Sequence, residues 1–155
     1  WIILLAISLL SICGFVIQVV MGKPFGNNPA PDVVMVVILV IFGFGFPIFF
    51  YVIHLTMEVR NDGLYVRFYP FHCSFLRIEL EKITKYEVLT YSPLGEYGGW
   101  GIRYSMKGKA YNVYGNRGVQ LQFSNGTRLL IGSQKPEQLV EALNLAMHTL
   151  TRSTR

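Results

Sequence analysis

The chain is 155 residues long, 52% of them hydrophobic and 15% charged, with a mean hydropathy of +0.39. That length holds one ordinary domain, but the apolar excess is too large for a chain dissolved entirely in water. The net charge of +5 and a pI near 9.3 ask for an anionic neighbour.

From Trp1 to Met21 there is no charged side chain, and from Val33 to Ile53 there is again none. Each run matches the roughly 20 residues that a helix needs to cross about 30 Å of hydrocarbon. The sequence therefore predicts two transmembrane helices, at about 1–21 and 33–54, in a hairpin covering 1–54. The first run is longer than the apolar stretch of a signal peptide and lacks a charged start and a small-residue cleavage site. Because the chain opens on Trp and not on Met, further residues ahead of Trp1 are expected.

Between the runs lies GKPFGNNPAPD, whose prolines and glycines break helices and form a short loop. Its charges, Lys23 and Asp32, cancel, so nearly all the positive excess follows the second run. The positive-inside rule then puts the basic part in the cytoplasm and the loop outside. Cys13 and Cys73 have no evident partner and read as packed thiols, which fits a reducing side.

In the first span Ser8 and Ser11 are expected to bond back to helix carbonyls, and Gln18 to seek a partner helix. The second contains IFGFGFPIFFYVIHL, where Gly43, Gly45 and Pro47 weaken or bend the helix amid aromatic rings. One reading of this face is a lipid-facing aromatic surface with Tyr51 and His54 at the interface. The other makes Gly43, Gly45, Pro47, Phe49 and Tyr51 a docking face for another integral membrane subunit. Neither span carries an ionisable residue of the kind that pumps and channels use.

From residue 55 to 155 the pattern becomes short alternating runs separated by turns, an all-β signature. LTMEVR and LYVRFY flank Asn61, Asp62 and Gly63, with the Asp-Gly pair read as the hairpin turn. SFLRIEL, ITKYEVLTY, GIRYSM, AYNVYG and VQLQFS follow, and Asn125-Gly126 turns the chain into TRLLIGS. Leu139, Leu143, Ala146, Met147 and Leu150 then recur at helical spacing, predicting an amphipathic helix at about 136–150. The predicted fold is a membrane helical hairpin plus seven or eight short antiparallel strands closed by that helix.

The segments NDGLYVRFYPF, YGGWGIRY, GNRGVQLQF and IGSQKPEQL, behind two spans, resemble a family of small prokaryotic membrane proteins with a pleckstrin-homology-like domain. The resemblance implies that architecture and an inner or cell membrane location. It supplies no catalytic residues.

The stretch from Gly95 to Leu121 is rich in glycine, tyrosine and cations. Its glycines are not followed by a helix or by Gly-Lys-Ser/Thr, so it is no nucleotide loop; Gly98 and Gly99 read as a bulge or a close backbone approach. Tyr97, Trp100, Tyr104, Tyr111 and Tyr114 interleave with Arg103, Lys107, Lys109 and Arg117, a mixture suited to an anionic headgroup layer. Tyr97, Trp100, Arg103, Lys107, Lys109 and Arg117 are accordingly the candidate interface residues, against the plainer reading that the rings pack and the charges stay solvated. The cations are too scattered for a nucleic acid site. His54, His72 and His148 are dispersed, the adjacent His72-Cys73 pair diverges on an extended chain, and Glu79 and Glu81 read as solvated charges on one strand face. No cofactor, metal or small-molecule substrate is indicated. The expectation is a non-catalytic accessory, assembly or scaffold subunit on a larger membrane complex, or alternatively a lipid-binding or lipid-sensing tether.

Overall fold

A computed structural model describes residues 2–153; Trp1, the expected start of the first span, lies outside them. The chain divides into two compact units, one ending at Ile53 and one beginning at His54.

The first unit is a pair of helices long and apolar enough to cross a membrane, α1 (Ile2–Val20) and α2 (Asp32–Val52). Their pairing is inside out compared with a water-soluble bundle. The residues that α1 buries are Ser8, Ser11, Gly14 and Gln18, spaced three or four apart on one stripe, while Ile2, Leu5, Leu9 and Leu10 are exposed. Small side chains at such a seam let the helices approach closely: a Cβ on Gly14 would sit 2.9 Å from Met35 Cε. Both serines bond back as expected, Ser8 to Leu4 O and Ser11 to Ile7 O, and Ser8 Oγ also donates to Phe42 O across the seam at 3.1 Å. Gln18 reaches the second helix of the hairpin, as well as the loop before it. Its amide donates to Ala30 O and, at 2.9 Å, to Asp32 Oδ1, tying the loop to the start of α2.

Ahead of Pro47 the helix widens into π turns at Leu39–Gly45, so that the Phe46 N–H reaches Ile41 O. The π turns end where Pro47, which has no N–H to donate, enters the first turn of the α-helical stretch that follows. α1 carries a similar stretch at Val16–Val20.

Among its described residues the second unit has eight strands in two sheets. β1 (His54–Arg60), β2 (Gly63–Tyr69) and β3 (Leu76–Ile78) form an antiparallel sheet in that order. β4 (Ile83–Thr90), β5 (Gly101–Ser105), β6 (Gly108–Asn112), β7 (Arg117–Phe123) and β8 (Arg128–Gly132) form the other, ordered β4-β7-β8-β6-β5. The expectation of wholly antiparallel strands is corrected by one pair: β6 and β8 run parallel, Lys109 beside Leu129 and Tyr111 beside Ile131. β8 inserts between its hairpin partner β7 and β6, which fixes its direction relative to both.

Two further corrections follow from close approach. Arg60 pairs with Gly63, so the first turn is Asn61-Asp62, and Gly63 belongs to β2. A side chain at Gly63 would lie 3.0 Å from Ile78 O of β3, so glycine is required there by the neighbouring strand. SFLRIEL yields only a three-residue strand, because the chain leaves the sheet for a 3-10 turn at Leu80–Lys82. Glu79 and Glu81 therefore share no strand face, and Glu79 pairs with Lys82 at 3.0 Å.

Alternation sends Leu64, Val66 and Phe68 inward from one sheet and Tyr111, Val119, Leu121, Leu129 and Ile131 inward from the other. The Phe68 and Tyr111 rings meet across this core at 6.3 Å. The C-terminal helix, Pro136–Ser153, runs a little past its expected end and packs on β1, β4 and β7, burying Leu139, Leu143 and Ala146. A second, smaller cluster of Tyr91, Tyr97, Ala110 and Leu130 lies on the opposite face of the five-stranded sheet.

Candidate functional site

The glycine-rich stretch builds a capped turn of helix and then a hairpin. Ser92 Oγ accepts the Gly95 N–H, starting a short helix, α3 (Pro93–Tyr97), with Pro93 in its first turn. Gly98 ends it in the left-handed region at φ 70°, where its N–H bonds Leu94 O and that of Gly99 bonds Pro93 O. The glycines read as a bulge are thus a helix cap. β5 and β6 follow, joined by the two-residue turn Met106-Lys107, since Ser105 pairs with Gly108.

This hairpin forms one lip of an open cleft of about 760 Å³. Leu76 and Ile78 of β3 form the facing lip, and Phe123, Thr127, Arg128 and Leu129 close one end, with Tyr111 also lining the cleft. Gly108 makes the tight approach at its base: with φ 113° it lies so close to β8 that a Cβ would almost overlap Arg128 O.

The cations of the lining are Lys107, Lys109 and Arg128, and it contains no carboxylate. Lys107 leans out to Glu96 of α3, with Nζ 3.1 Å from the carboxylate. That hydrogen bond, with the Ser92 N–H, holds the Glu96 carboxyl below its usual range. Lys109 has no carboxylate partner among the described residues. Its ammonium lies 5.1 Å from the Tyr104 ring centre and 4.7 Å from that of Tyr111. Partial burial works against its charge, but the two tyrosines outweigh burial and leave its pKa raised. A cation without a carboxylate partner is therefore held in a cleft that Leu76, Ile78, Phe123 and Leu129 also line.

A family model described as a family of unknown function, DUF6141, matches residues 1–150. The chain belongs to the DUF6141 family. No match was found among curated proteins or solved structures.

In this DUF6141 chain the residues singled out from sequence separate into distinct environments. Tyr97 is 5% exposed and stacks edge-on against Tyr91 at 5.8 Å, so it belongs to the small core and offers no interface. Tyr111, likewise, lies in the main core. Trp100 stays half exposed and donates its indole N–H to Gly115 O at 2.9 Å, with Arg103 Nε bonded to the Trp100 carbonyl at 2.9 Å. Tyr104 and Tyr114 are exposed. Arg117 pairs with Glu137 at the start of the C-terminal helix, a fold contact. In the helical unit Gly43 is buried, while Gly45, Phe49 and Tyr51 are exposed and Pro47 is partly so. Phe42, Phe46, Phe50 and Phe49 form a run of edge-to-face rings along α2.

Sequence reading missed the cleft itself. Leu76, Phe123 and Leu129 come from three separate strands or their ends, and nothing local marks them as neighbours. Among the described residues no group of three or more His, Cys, Asp or Glu is placed to hold a metal.

Proposed function

We propose that this protein is a non-catalytic integral membrane protein, an accessory or assembly subunit whose two helices dock against other membrane helices. The observation that carries the reading is the inverted pattern of the helical unit, with Ser8, Ser11, Gly14 and Gln18 inward and aliphatic and aromatic side chains outward. Such a surface is stable in lipid or against another apolar helix and unstable in water. The aromatic run from Phe42 to Phe50 offers the docking face, and the basic β unit lies on the cytoplasmic side of a prokaryotic cell membrane. We assign that unit to the pleckstrin-homology-like class. Two facing sheets with one C-terminal helix against them support the assignment, and the parallel β6–β8 pair departs from its antiparallel order.

Purification of the tagged full-length chain in mild detergent tests the docking reading. One or more integral membrane proteins are expected to co-purify in fixed proportion, and replacing Phe46 and Phe50 by Ala should release them. A lone monomer in several mild detergents would overturn it.

A second reading, a lipid-binding tether, is favoured by one observation: the Lys109 ammonium in a cleft with no carboxylate in its lining.

A further inference from the structure

We propose that the cleft between β3 and the β5–β6 hairpin binds a single-chain amphiphile with an anionic head, of the fatty-acid class, its chain along Leu76, Ile78 and Leu129 and its head at Lys109. The proposal deepens the lipid-binding reading and rests on it.

Volume, lining and charge each constrain the occupant. About 760 Å³ falls within the roughly 300–1,000 Å³ of small-molecule sites. The long walls are apolar: Leu76 and Ile78 on one side, Phe123 and Leu129 at the end, Tyr111 within. Leu76 and Met106 remain exposed, surface that an acyl chain would take out of water. On the hairpin side Lys109 sits between two tyrosine rings and Ser105 adds a hydroxyl, and Thr127 adds another from the β7–β8 turn. Arg128 falls on the Leu130 face of β8, opposite Leu129, where it meets Lys85, Glu87, Gln120 and Gln122; with Lys107 engaged by Glu96, Lys109 is the cation left to meet an anion. One cation beside one apolar trough matches one head and one chain. A free inorganic anion would leave the trough empty, and a neutral lipid would leave the ammonium without a counter-charge.

The test uses the full-length chain in phosphatidylcholine nanodiscs, with palmitic acid carrying a photoreactive group near its tail as the probe. Crosslinks are expected at Leu76–Ile78 and around Leu129. The methyl ester of the same probe, which lacks the anion, should label about tenfold less, as should Lys109→Gln. Leu129→Trp, which fills the trough, should also abolish labelling, and the ester comparison needs no variant to fold. Labelling confined to residues 2–52, or equal labelling by acid and ester, would overturn the proposal. So would displacement by inorganic phosphate, which would make this a free-anion site, or displacement by phosphatidylglycerol but not by unlabelled palmitate. Retention of the chain in carbonate-washed membranes, measured separately, reports on the membrane reading whatever the probe does.

Discussion

Gly108 carries more of the cleft than any side chain that lines it. It combines φ 113° with an approach to Arg128 O that leaves no room for a Cβ. Gly108→Ala therefore imposes both backbone strain and a clash between two strands, and should cost about 2–4 kcal/mol. Chemical denaturation followed by the β-sheet circular dichroism signal measures this, and a loss below half a kcal/mol would mean that β6 and β8 are not so closely apposed. Tyr91 and Tyr97 support a prediction about pH. Burial pushes both hydroxyls above their ordinary value of 10.0, against a smaller opposing effect of Asn112 on Tyr91 and with the Glu96 charge assisting on Tyr97. A group whose folded pKa is raised stabilises the fold fully below the unfolded value and loses that contribution as pH rises through the folded value. The β unit should therefore lose stability above about pH 10, with phenolate absorbance from these two rings appearing together with unfolding. Tyr97→Phe keeps the ring and removes the titration, so its alkaline unfolding should move to higher pH; an unchanged midpoint counts against the buried assignment. These rings also show where residue-level reading stops. Tyr97 and Tyr104 look alike in sequence, each beside glycine or a cation, yet one is packed and the other is 73% exposed. The difference is made by α3, whose single capped turn carries Tyr97 over Ala110 and Leu130, and five residues are too few to show helical periodicity.

At the scale of elements, legibility followed the range of the determining interaction. The charge-free runs gave both apolar helices to within about two residues, because length and charge are properties of the segment itself. The C-terminal helix was similarly legible from its repeating Leu139, Leu143 and Ala146. The parallel pairing of β6 with β8 was not, since nothing in either strand names the other. β3 was overestimated because alternation continues through SFLRIEL, although the chain already leaves the sheet after Ile78. The seam between α1 and α2 has its own test. Gly14→Leu must displace Met35 Cε and the Phe25 ring, which already crowd a Cβ at 2.9 and 3.2 Å. Overpacking of this kind should cost about 1–3 kcal/mol, read by titration with sodium dodecyl sulfate and far-ultraviolet circular dichroism. Ser8→Ala removes the bond across the seam to Phe42 O together with the local one to Leu4 O and should cost about 0.6 kcal/mol. If Ser8→Ala were the more damaging of the two, hydrogen bonding and not close packing would be holding the helices together.

At the scale of the whole molecule, the proposed membrane-spanning hairpin makes a prediction about which side would receive the charge. All the cations but Lys23, and all the acids but Asp32, follow the second helix, so the electrostatic asymmetry of the chain lies between a neutral loop and a basic β unit. The cation bias counts mainly within about 15–20 residues of a span, and Arg60 and Arg67 fall in that zone after α2, against Lys23 alone in the loop. The two thiols make the orientation measurable. Both are exposed on the protein surface, but Cys13 lies within α1, in the zone that lipid would cover, whereas Cys73 lies in the β unit. A membrane-impermeant maleimide should therefore modify the chain in inverted vesicles and leave it unmodified in intact spheroplasts, and Cys73→Ser should abolish the label. Labelling in intact spheroplasts would reverse the orientation, putting Lys109 and its cleft outside the cell and leaving the cytoplasmic assembly role without a domain to perform it. Labelling that persists in Cys73→Ser would instead place Cys13 in water, which two membrane-spanning helices do not allow.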